Sequence, residues 1–153
     1  MYAATIEVPV ARTRQAIEEL LTKAKCTQFV IGSDSESRKA MVQFKANNRI
    51  VRFTVAMPNP QDQKFTHVDR WRRRATSQAD KLVSQAERQR WRALFLVIKA
   101  KLESVESEIA TFEEEFLAHI VLPDDSTVGE HIVPRIAQVY EQQDTRRLLN
   151  AQN

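Results

Sequence analysis

The stretch AMVQFKANNRIVRFTV, residues 40–55, predicts an antiparallel hairpin. Asn47-Asn48 suits a two-residue turn, because asparagine tolerates a positive φ better than most side chains do. With that turn, apolar side chains face each other in three pairs: Phe44 and Val51, Val42 and Phe53, and Ala40 and Val55. The turn and the apolar pattern therefore select the same register independently. The opposite face is partly basic and carries Lys39, Met41, Gln43, Lys45, Ile50, Arg52 and Thr54.

Neighbouring segments extend this hairpin into a larger sheet with a helix. Residues 13–25 follow helical spacing, and residues 27–31 form a β-rich run that ends in a polar turn. Residues 3–10 alternate between apolar and polar side chains, and Pro9 would place that strand at a sheet edge. The fold class is therefore predicted as α+β, with a short antiparallel sheet and a helix in the N-terminal third.

A long helix and a helical C-terminal half are expected after the sheet. Residues 58–76 contain two prolines and show no periodicity, which predicts a loop. Ser77 and Asp80 have the spacing of a capping box, so the long helix is predicted to begin near Ser77. Thr111 and Glu114 repeat that spacing and predict a new helix after a break near residue 110.

One domain accounts for most of the chain. A last helix is predicted over residues 127–141, with Val128, Ile132, Ile136 and Val139 facing inward. The predicted domain covers residues 1–141 and divides into a sheet-containing part (1–57), a loop (58–76) and a helical part (77–141), with a polar tail at 142–153. A chain of 153 residues is of ordinary length for one domain.

Apolar side chains recur at alternating steps of four and three along the long helix. The stripe consists of Trp91, Phe95, Ile98, Leu102, Val105 and Ile109. This spacing is typical of a packed helix seam or a short coiled coil. Because a small sheet is expected to cover only part of this surface, we predict a homodimer or higher oligomer assembled through residues 91–109.

Charge is distributed unevenly along the sequence. Residues 64–101 contain 11 Lys or Arg and 3 Asp or Glu, which gives a net charge of +8. Residues 102–130 contain no Lys or Arg and 9 Asp or Glu, which gives −9. Such separation indicates either a polyanionic partner for the basic segment or an ion-paired contact between the two segments.

The basic segment is the leading candidate for a binding site. Arg70-Trp71-Arg72-Arg73-Arg74 combines guanidinium groups, which bind phosphate in two-pronged fashion, with an indole on which a base can stack. The triplet Arg70-Trp71-Arg72 is echoed by Arg90-Trp91-Arg92, where Trp91 lies on the apolar stripe. The predicted nucleic-acid-binding residues are Arg70, Trp71, Arg72, Arg73, Arg74, Lys81, Arg88, Arg92, Lys39, Lys45 and Arg52. Alternatively, the helical arginines form a solvated face paired with the acidic segment.

Other chemistries find little support in the sequence. Two glycines in the whole chain argue against a glycine-rich phosphate loop, and no serine–histidine–aspartate pattern is present. Asp34 fits a turn better than a magnesium site, and Glu115 with His119 fits an acidic helix face better than a metal pair. Cys26 is read as a small buried hydrophobe. We expect no enzyme activity, no metal and no cofactor.

The sequence also indicates where the protein acts. No signal-like apolar run is found near the N-terminus, and the longest apolar stretch, residues 93–98, is too short to cross a bilayer. We therefore expect a cytoplasmic protein that does not contact a membrane.

Two resemblances bear on function. The predicted order, a helix, three strands and a helix, resembles that of a double-stranded-RNA-binding domain, although the long loop and the extra first strand depart from it. Residues 90–94, 99–103, 111–123 and 127–130 resemble small uncharacterised proteins encoded by bacteriophages and integrated mobile elements, over about residues 50–140. That second resemblance implies a setting of DNA replication, recombination or counter-defence, and carries over no site residue.

These observations support two hypotheses from different classes. The first is a non-enzymatic accessory protein of a phage or mobile element that binds nucleic acid, DNA or RNA, through the basic Arg/Trp segment. The second is an oligomeric protein–protein interaction module, such as a counter-defence protein or a protein that binds a host factor, assembled through the stripe at 91–109.

Overall fold

The computed structural model describes residues 8–150 and has the α+β architecture expected from the sequence. Its elements, in chain order, are α1 (Val10–Lys23), β1 (Thr27–Asp34), β2 (Lys39–Ala46), β3 (Arg49–Ala56), α2 (Gln63–Thr66), α3 (Thr76–Glu106), α4 (Phe112–Phe116) and α5 (Val128–Gln142). Short 3-10 helices at Leu117–His119 and Thr145–Leu148 follow α4 and α5.

The central hairpin has the predicted register. Asn47 and Asn48 adopt φ values of 50° and 58°, the left-handed pair that a two-residue turn between twisted strands requires. Across β2 and β3, all three predicted apolar pairs are present, and Ala46 faces Arg49 beside the turn. Strand β1 pairs antiparallel with β2, so the sheet has the order β1-β2-β3.

Helices α1 and α3 cover one face of this sheet. The core joins Ile17 and Leu21 of α1, the inward side chains of β2 and β3, and Trp91, Leu94 and Ile98 of α3. Helix α4 completes this layer, since Phe116 packs edge-on against Phe44 with ring centroids 5.8 Å apart. The described chain therefore has one layer of helix packed on one face of the sheet.

Two expectations for the N-terminal third need correction. The strand predicted over residues 3–10 lies mostly outside the described residues, and its last position, Val10, begins α1 instead. Pro9 precedes that helix with φ −58°, and its carbonyl accepts hydrogen bonds from the amides of Arg12 and Thr13. The strand predicted over residues 27–31 continues to Asp34, because β2 offers pairing partners through Lys39.

The loop predicted over residues 58–76 contains helix α2 and closes on itself before α3. The predicted Ser77 cap is wrong: α3 begins at Thr76, with Ala75 at the N-cap and no capping side chain. The capping box of Thr111 and Glu114 is confirmed, as both hydrogen bonds are present.

The apolar stripe of α3 packs within its own chain. Trp91 and Ile98 are buried in the core against the sheet, while Phe95, Leu102 and Val105 are partly buried beside it. Ile109 is 81% exposed, because α3 ends at Glu106 and Glu108 turns the chain with a φ of 60°. The reason for expecting an open seam at 91–109 is thereby removed, and oligomerisation itself stays a prediction.

The C-terminal elements differ from expectation in their packing. Helix α5 begins behind a second capping box, formed by Thr127 and Glu130, and none of its residues is buried. Ile136, expected to face inward, is 42% exposed. The predicted polar tail includes Gln142, the last residue of α5, and the 3-10 helix whose Leu148 carbonyl accepts a hydrogen bond from Arg135.

Helix α3 extends past one end of the sheet. The Asn47 turn and Leu102 line the same recess, whereas Ala56 at the opposite end of the hairpin accepts a hydrogen bond from Arg90. Residues 76–89, about four turns of helix, therefore continue beyond the strands. Helix α2 packs against this extension. Among the described residues, no helix is both long and apolar enough to span a bilayer.

Candidate nucleic-acid interface

Residues 66–74, here called the arginine loop, form a closed turn immediately before α3. The Val68 amide donates to the Arg72 carbonyl at 2.8 Å, and the Arg74 amide donates to the Thr66 carbonyl at 2.7 Å. His67 and Arg73 form an isolated antiparallel bridge between these two contacts. The loop is thus held at its base by paired backbone, although the sequence predicts an unstructured connection.

Asp69 fixes the tip of the arginine loop. One carboxylate oxygen accepts from the amides of Trp71 and Arg72, at 2.9 and 3.0 Å, and the other accepts from Arg72 Nε at 2.8 Å. These bonds stabilise the carboxylate, and the Trp71 amide contributes most to holding the pKa of Asp69 below its usual range. Asp69 therefore stays ionised near neutral pH and keeps the tip in one shape.

Trp71 projects from this tip into solvent. Its side chain is 82% exposed, and the Arg70 guanidinium lies 5.2 Å from the ring centroid in a cation–π arrangement. The indole is therefore accessible to a ligand on a turn whose backbone is fixed by hydrogen bonds. Arg70, Arg72 and Arg73 are also exposed.

Arg74 differs from the other three arginines. It is partly buried, and its Nε atom is buried without a hydrogen-bond partner. We therefore place Arg74 at the base of the loop and the other three guanidinium groups at its surface.

The N-terminus of α3 adds to the positive potential of the loop. No side chain caps this helix, and no acidic residue occupies its first turn. The partial positive charge at a helix N-terminus therefore lies directly after the arginines. Further along the same helix, Lys81 and Arg88 line a shallow recess with Asp80 and Ser84.

Arg90 and Arg92 have structural contacts within the chain. Arg90 Nε donates to the carbonyl of Ala56 at 3.0 Å, which ties α3 to the end of β3. The guanidinium of Arg92 lies 4.8 Å from the centroid of Phe95, and its side chain is partly buried. Of the helical candidates, Lys81 is the most exposed.

The basic residues of the sheet lie on a separate surface. Lys39, Lys45 and Arg52 occupy the outer face, opposite the helix layer to which the arginine loop connects. Arg52 is engaged by Asp125, with a 2.9 Å ion pair and a second bond to the Asp125 carbonyl. Only 15% of its side chain is exposed, so the prediction of Arg52 as a phosphate contact is not supported by its environment.

The acidic segment is paired with bases outside the arginine loop. Arg49 contacts Glu113 at 3.1 Å, Arg52 contacts Asp125, and Lys101 contacts Glu115 at 3.2 Å. These partners belong to β3 and the C-terminal half of α3, which pack beside the acidic segment. The ion pair found within the arginine loop joins Arg72 to Asp69. Lys101 belongs to the +8 segment, so a contact between the two segments is present, but it lies at the opposite end of α3 from the arginine loop. The geometry thus favours an exposed arginine loop over pairing of that loop with the acidic segment.

Glu115 and His119 serve structural roles. Glu115 accepts from Lys101, and the His119 ring stacks on Phe53 with centroids 4.1 Å apart. Burial, reinforced by the charge of Lys101, holds the pKa of His119 below its usual 6.5. Within residues 8–150, no group of three His, Cys, Asp or Glu side chains is arranged to hold a metal ion.

The structure also brings together Asp124, Ser126 and His131, which sequence reasoning missed. Ser126 donates its hydroxyl proton to Asp124 and lies 2.7 Å from His131 Nε2. In a hydrolase triad the carboxylate orients the histidine, whereas here it accepts the serine proton directly. The Ser126 bond is also the main cause of the lowered pKa of Asp124. This cluster closes the turn before α5.

Asp69 is the other residue that sequence reasoning missed. In an Asx turn, the side chain of an aspartate accepts a hydrogen bond from the backbone amide two residues later. Aspartate in a polar loop favours this turn, so the sequence contained a signal for the role of Asp69. Comparisons of the chain with protein-family models, with curated proteins and with solved structures found no match.

Proposed function

We propose that this protein is a non-enzymatic nucleic-acid-binding protein that contacts phosphates and unpaired bases through the arginine loop. The observation that carries the proposal is the 82% exposed indole of Trp71, held on a fixed turn between arginines. Stacking on an aromatic ring needs only the face of a base, so this contact recognises single strands of any sequence. Arg70, Arg72 and Arg73 supply the phosphate contacts around it.

The charge arrangement supports a polyanionic ligand. Helix α3 begins directly after the loop without an acidic first turn, and Lys81 follows on that helix. The acidic segment uses bases elsewhere in the chain for its ion pairs. An incoming phosphate backbone would therefore replace water at the loop and would not have to displace an internal carboxylate, apart from Asp69.

The proposed setting is the cytoplasm of a cell that carries a phage or an integrated element. The resemblance to small phage-encoded proteins supports that setting. A short protein that coats or delivers single strands fits DNA replication, recombination or counter-defence.

Trp71→Ala tests the stacking contact. We expect it to weaken binding of a fluorescein-labelled single-stranded oligonucleotide by about 1–3 kcal/mol, measured by fluorescence anisotropy, and to affect the matching duplex less. Trp71→Phe should retain part of the affinity, because a smaller ring still stacks. Thermal unfolding should be unchanged in both variants, since the side chain packs against little of the chain.

Val68→Ala is the matched control, because Val68 is an exposed apolar residue of the same loop without an aromatic ring. It should bind single strands as the wild type does. Equal affinity of Trp71→Ala and wild type for single strands would refute the stacking contact. Absence of binding to any DNA or RNA by the wild type would refute the proposed function.

A further inference from the structure

Two buried apolar side chains lie outside the main core. Phe65 of α2 is 6% exposed and Val83 of α3 is 8% exposed, yet neither belongs to the cluster that joins the sheet, α1, α4 and the later part of α3. Val83 lies on the extension of α3 past the strands, and α2 packs against α3. Phe65 and Val83, here called the satellite cluster, therefore form a second apolar contact beside the main core.

The extension of α3 has an apolar face of its own. Its apolar side chains follow the helical spacing i, i+3, i+4, i+7 and are at least partly buried: Ala79, Leu82, Val83 and Ala86. Helix α1 lies beside the later part of α3, since Arg14 contacts Trp91 and Leu20 shares a recess with Leu102. The end of β3 reaches α3 at Arg90. Among the described helices, α2 is therefore the one placed to pack on the extension.

The arginine loop is attached to the satellite cluster at its base. Phe65 directly precedes the loop, and the amide of Arg74 donates to the carbonyl of Thr66 at 2.7 Å, which joins the two ends of the loop beside Phe65. The hydrogen bonds of Asp69 lie within the loop and do not hold it against α3. Packing of Phe65 therefore fixes the position of the loop relative to the N-terminus of α3.

We propose that Phe65 is a positioning residue for the arginine loop, acting through a cluster that opens while the main core stays folded. This inference rests on the proposed function for its ligand. The closed form presents Trp71 and the N-terminus of α3 to one single strand, whereas opening separates them. A single strand therefore binds the closed form, and the measured affinity scales with the closed fraction. Local opening of this kind is expected where few apolar contacts hold a segment.

Hydrogen exchange without any ligand tests the separate opening. The first four amides of a helix have no acceptor within it, so the comparison starts at residue 80. In the wild type, amides at 80–89 should exchange at least about tenfold faster than those at 91–102, after correction for intrinsic rates, as measured by NMR. Equal protection of the two parts of α3 would overturn the proposal, whether or not the protein binds nucleic acid.

Phe65→Ala tests the positioning role. It should speed exchange at 80–89, leave exchange at 91–102 unchanged, and weaken binding of a short labelled single-stranded oligonucleotide about threefold or more. Phe65→Leu should restore most of the affinity, because it keeps an apolar side chain. Gln63→Ala is the matched control, since Gln63 is an exposed residue of the same helix and should bind as the wild type does.

A double-mutant cycle separates positioning from a general loss of structure. If Phe65 acts through Trp71, Phe65→Ala should weaken binding less in the Trp71→Ala background than in the wild type. Additive losses would overturn the positioning role. Faster exchange with unchanged affinity in Phe65→Ala would overturn that role alone, whereas absence of binding by the wild type would overturn it together with the proposed function.

Discussion

Trp71 and Trp91 lie in identical Arg-Trp-Arg triplets but occupy opposite environments. Trp91 is 3% exposed and sits in the core, with the Arg14 guanidinium 5.4 Å from its ring centroid. Trp71 is held in solvent by a loop that Asp69 closes. The difference arises from the surrounding residues, because Trp91 falls on the apolar face of α3 and Trp71 falls in a polar turn. The same residue therefore serves stability at one site and is available for binding at the other.

His119 is a residue whose environment makes stability depend on pH. Its ring is stacked on Phe53, and burial followed by the charge of Lys101 lowers its pKa in the folded state. Between that lowered pKa and the ordinary value of 6.5, the unfolded chain binds the proton more readily than the folded chain does. The contribution of His119 to stability is therefore complete above the unfolded pKa, and is lost as pH falls through the folded pKa.

We expect His119→Gln to reduce the loss of stability on acidification. The free energy of unfolding, measured by urea denaturation at about pH 7.5 and about pH 5.5, should fall less in this variant than in the wild type. His131→Gln is the control, because His131 is exposed and lies on the turn before α5. The quantity to compare is the change in the free energy of unfolding between the two pH values. The absolute free energies are not comparable, because His119→Gln also removes a ring contact at both pH values. An unchanged pH dependence would contradict the assignment.

At the scale of elements, the two glycines of the chain illustrate how packing alters a local preference. Gly129 lies in the first turn of α5, and a Cβ built there would be 2.7 Å from the carbonyl oxygen of Ala118. Gly32 lies in β1, and a Cβ there would meet nothing within 4 Å. Helix α5 therefore packs on the 3-10 helix at Leu117–His119 through a contact that only glycine permits.

Alanine at these two positions should have opposite effects. By helix propensity alone, Gly129→Ala would stabilise α5 by about 1 kcal/mol. We expect net destabilisation instead, of about 1–2 kcal/mol, because backbone must shift to admit the methyl group. Gly32→Ala should be neutral or stabilising by up to about 1 kcal/mol, since glycine weakens a strand. Thermal denaturation measures the change in stability of both variants. A stabilised Gly129→Ala would show that α5 does not pack on the 3-10 helix as described.

Local rules predict the elements whose signals agree with one another. The Asn47-Asn48 turn and the alternating strands select one register. The Thr111–Glu114 capping box defines a helix start through hydrogen bonds between those two residues alone. The Ser77 capping box fails because spacing alone does not ensure a cap: α3 begins with Ala75 at the N-cap and no capping side chain. Ile109 leaves the apolar stripe for a similar reason, since the helix ends three residues before it.

At the scale of the whole molecule, an apolar or charged pattern in the sequence does not identify the surface that it contacts. The stripe of α3 has the same spacing whether it meets a second copy or its own sheet, and in this chain the sheet, α1 and α4 cover most of it. The charges of the +8 and −9 segments likewise do not determine whether the two segments pair with each other. Only the folded arrangement shows that Arg49, Arg52 and Lys101 contact the acidic segment. The Arg/Trp segment was predictable as a candidate site because its composition alone is unusual.

Salt dependence of binding tests the central claim most directly, because each bound phosphate releases counterions. The variant carries Arg70→Gln, Arg72→Gln and Arg73→Gln, and the control carries Lys23→Gln, Lys25→Gln and Lys99→Gln. The control lysines are exposed beside the recess at the end of α1, and Lys99 lies about 35 Å along α3 from its start. Both proteins lose three positive charges.

Affinity for a labelled single strand is measured by anisotropy between about 50 and about 200 mM salt. The account predicts that the slope of log affinity against log salt flattens by about 0.7 for each phosphate that the arginine variant no longer binds, and stays near the wild-type slope in the lysine control. Equal slopes for the arginine variant and the wild type, or equal flattening in both variants, would contradict a phosphate-binding site at the arginine loop.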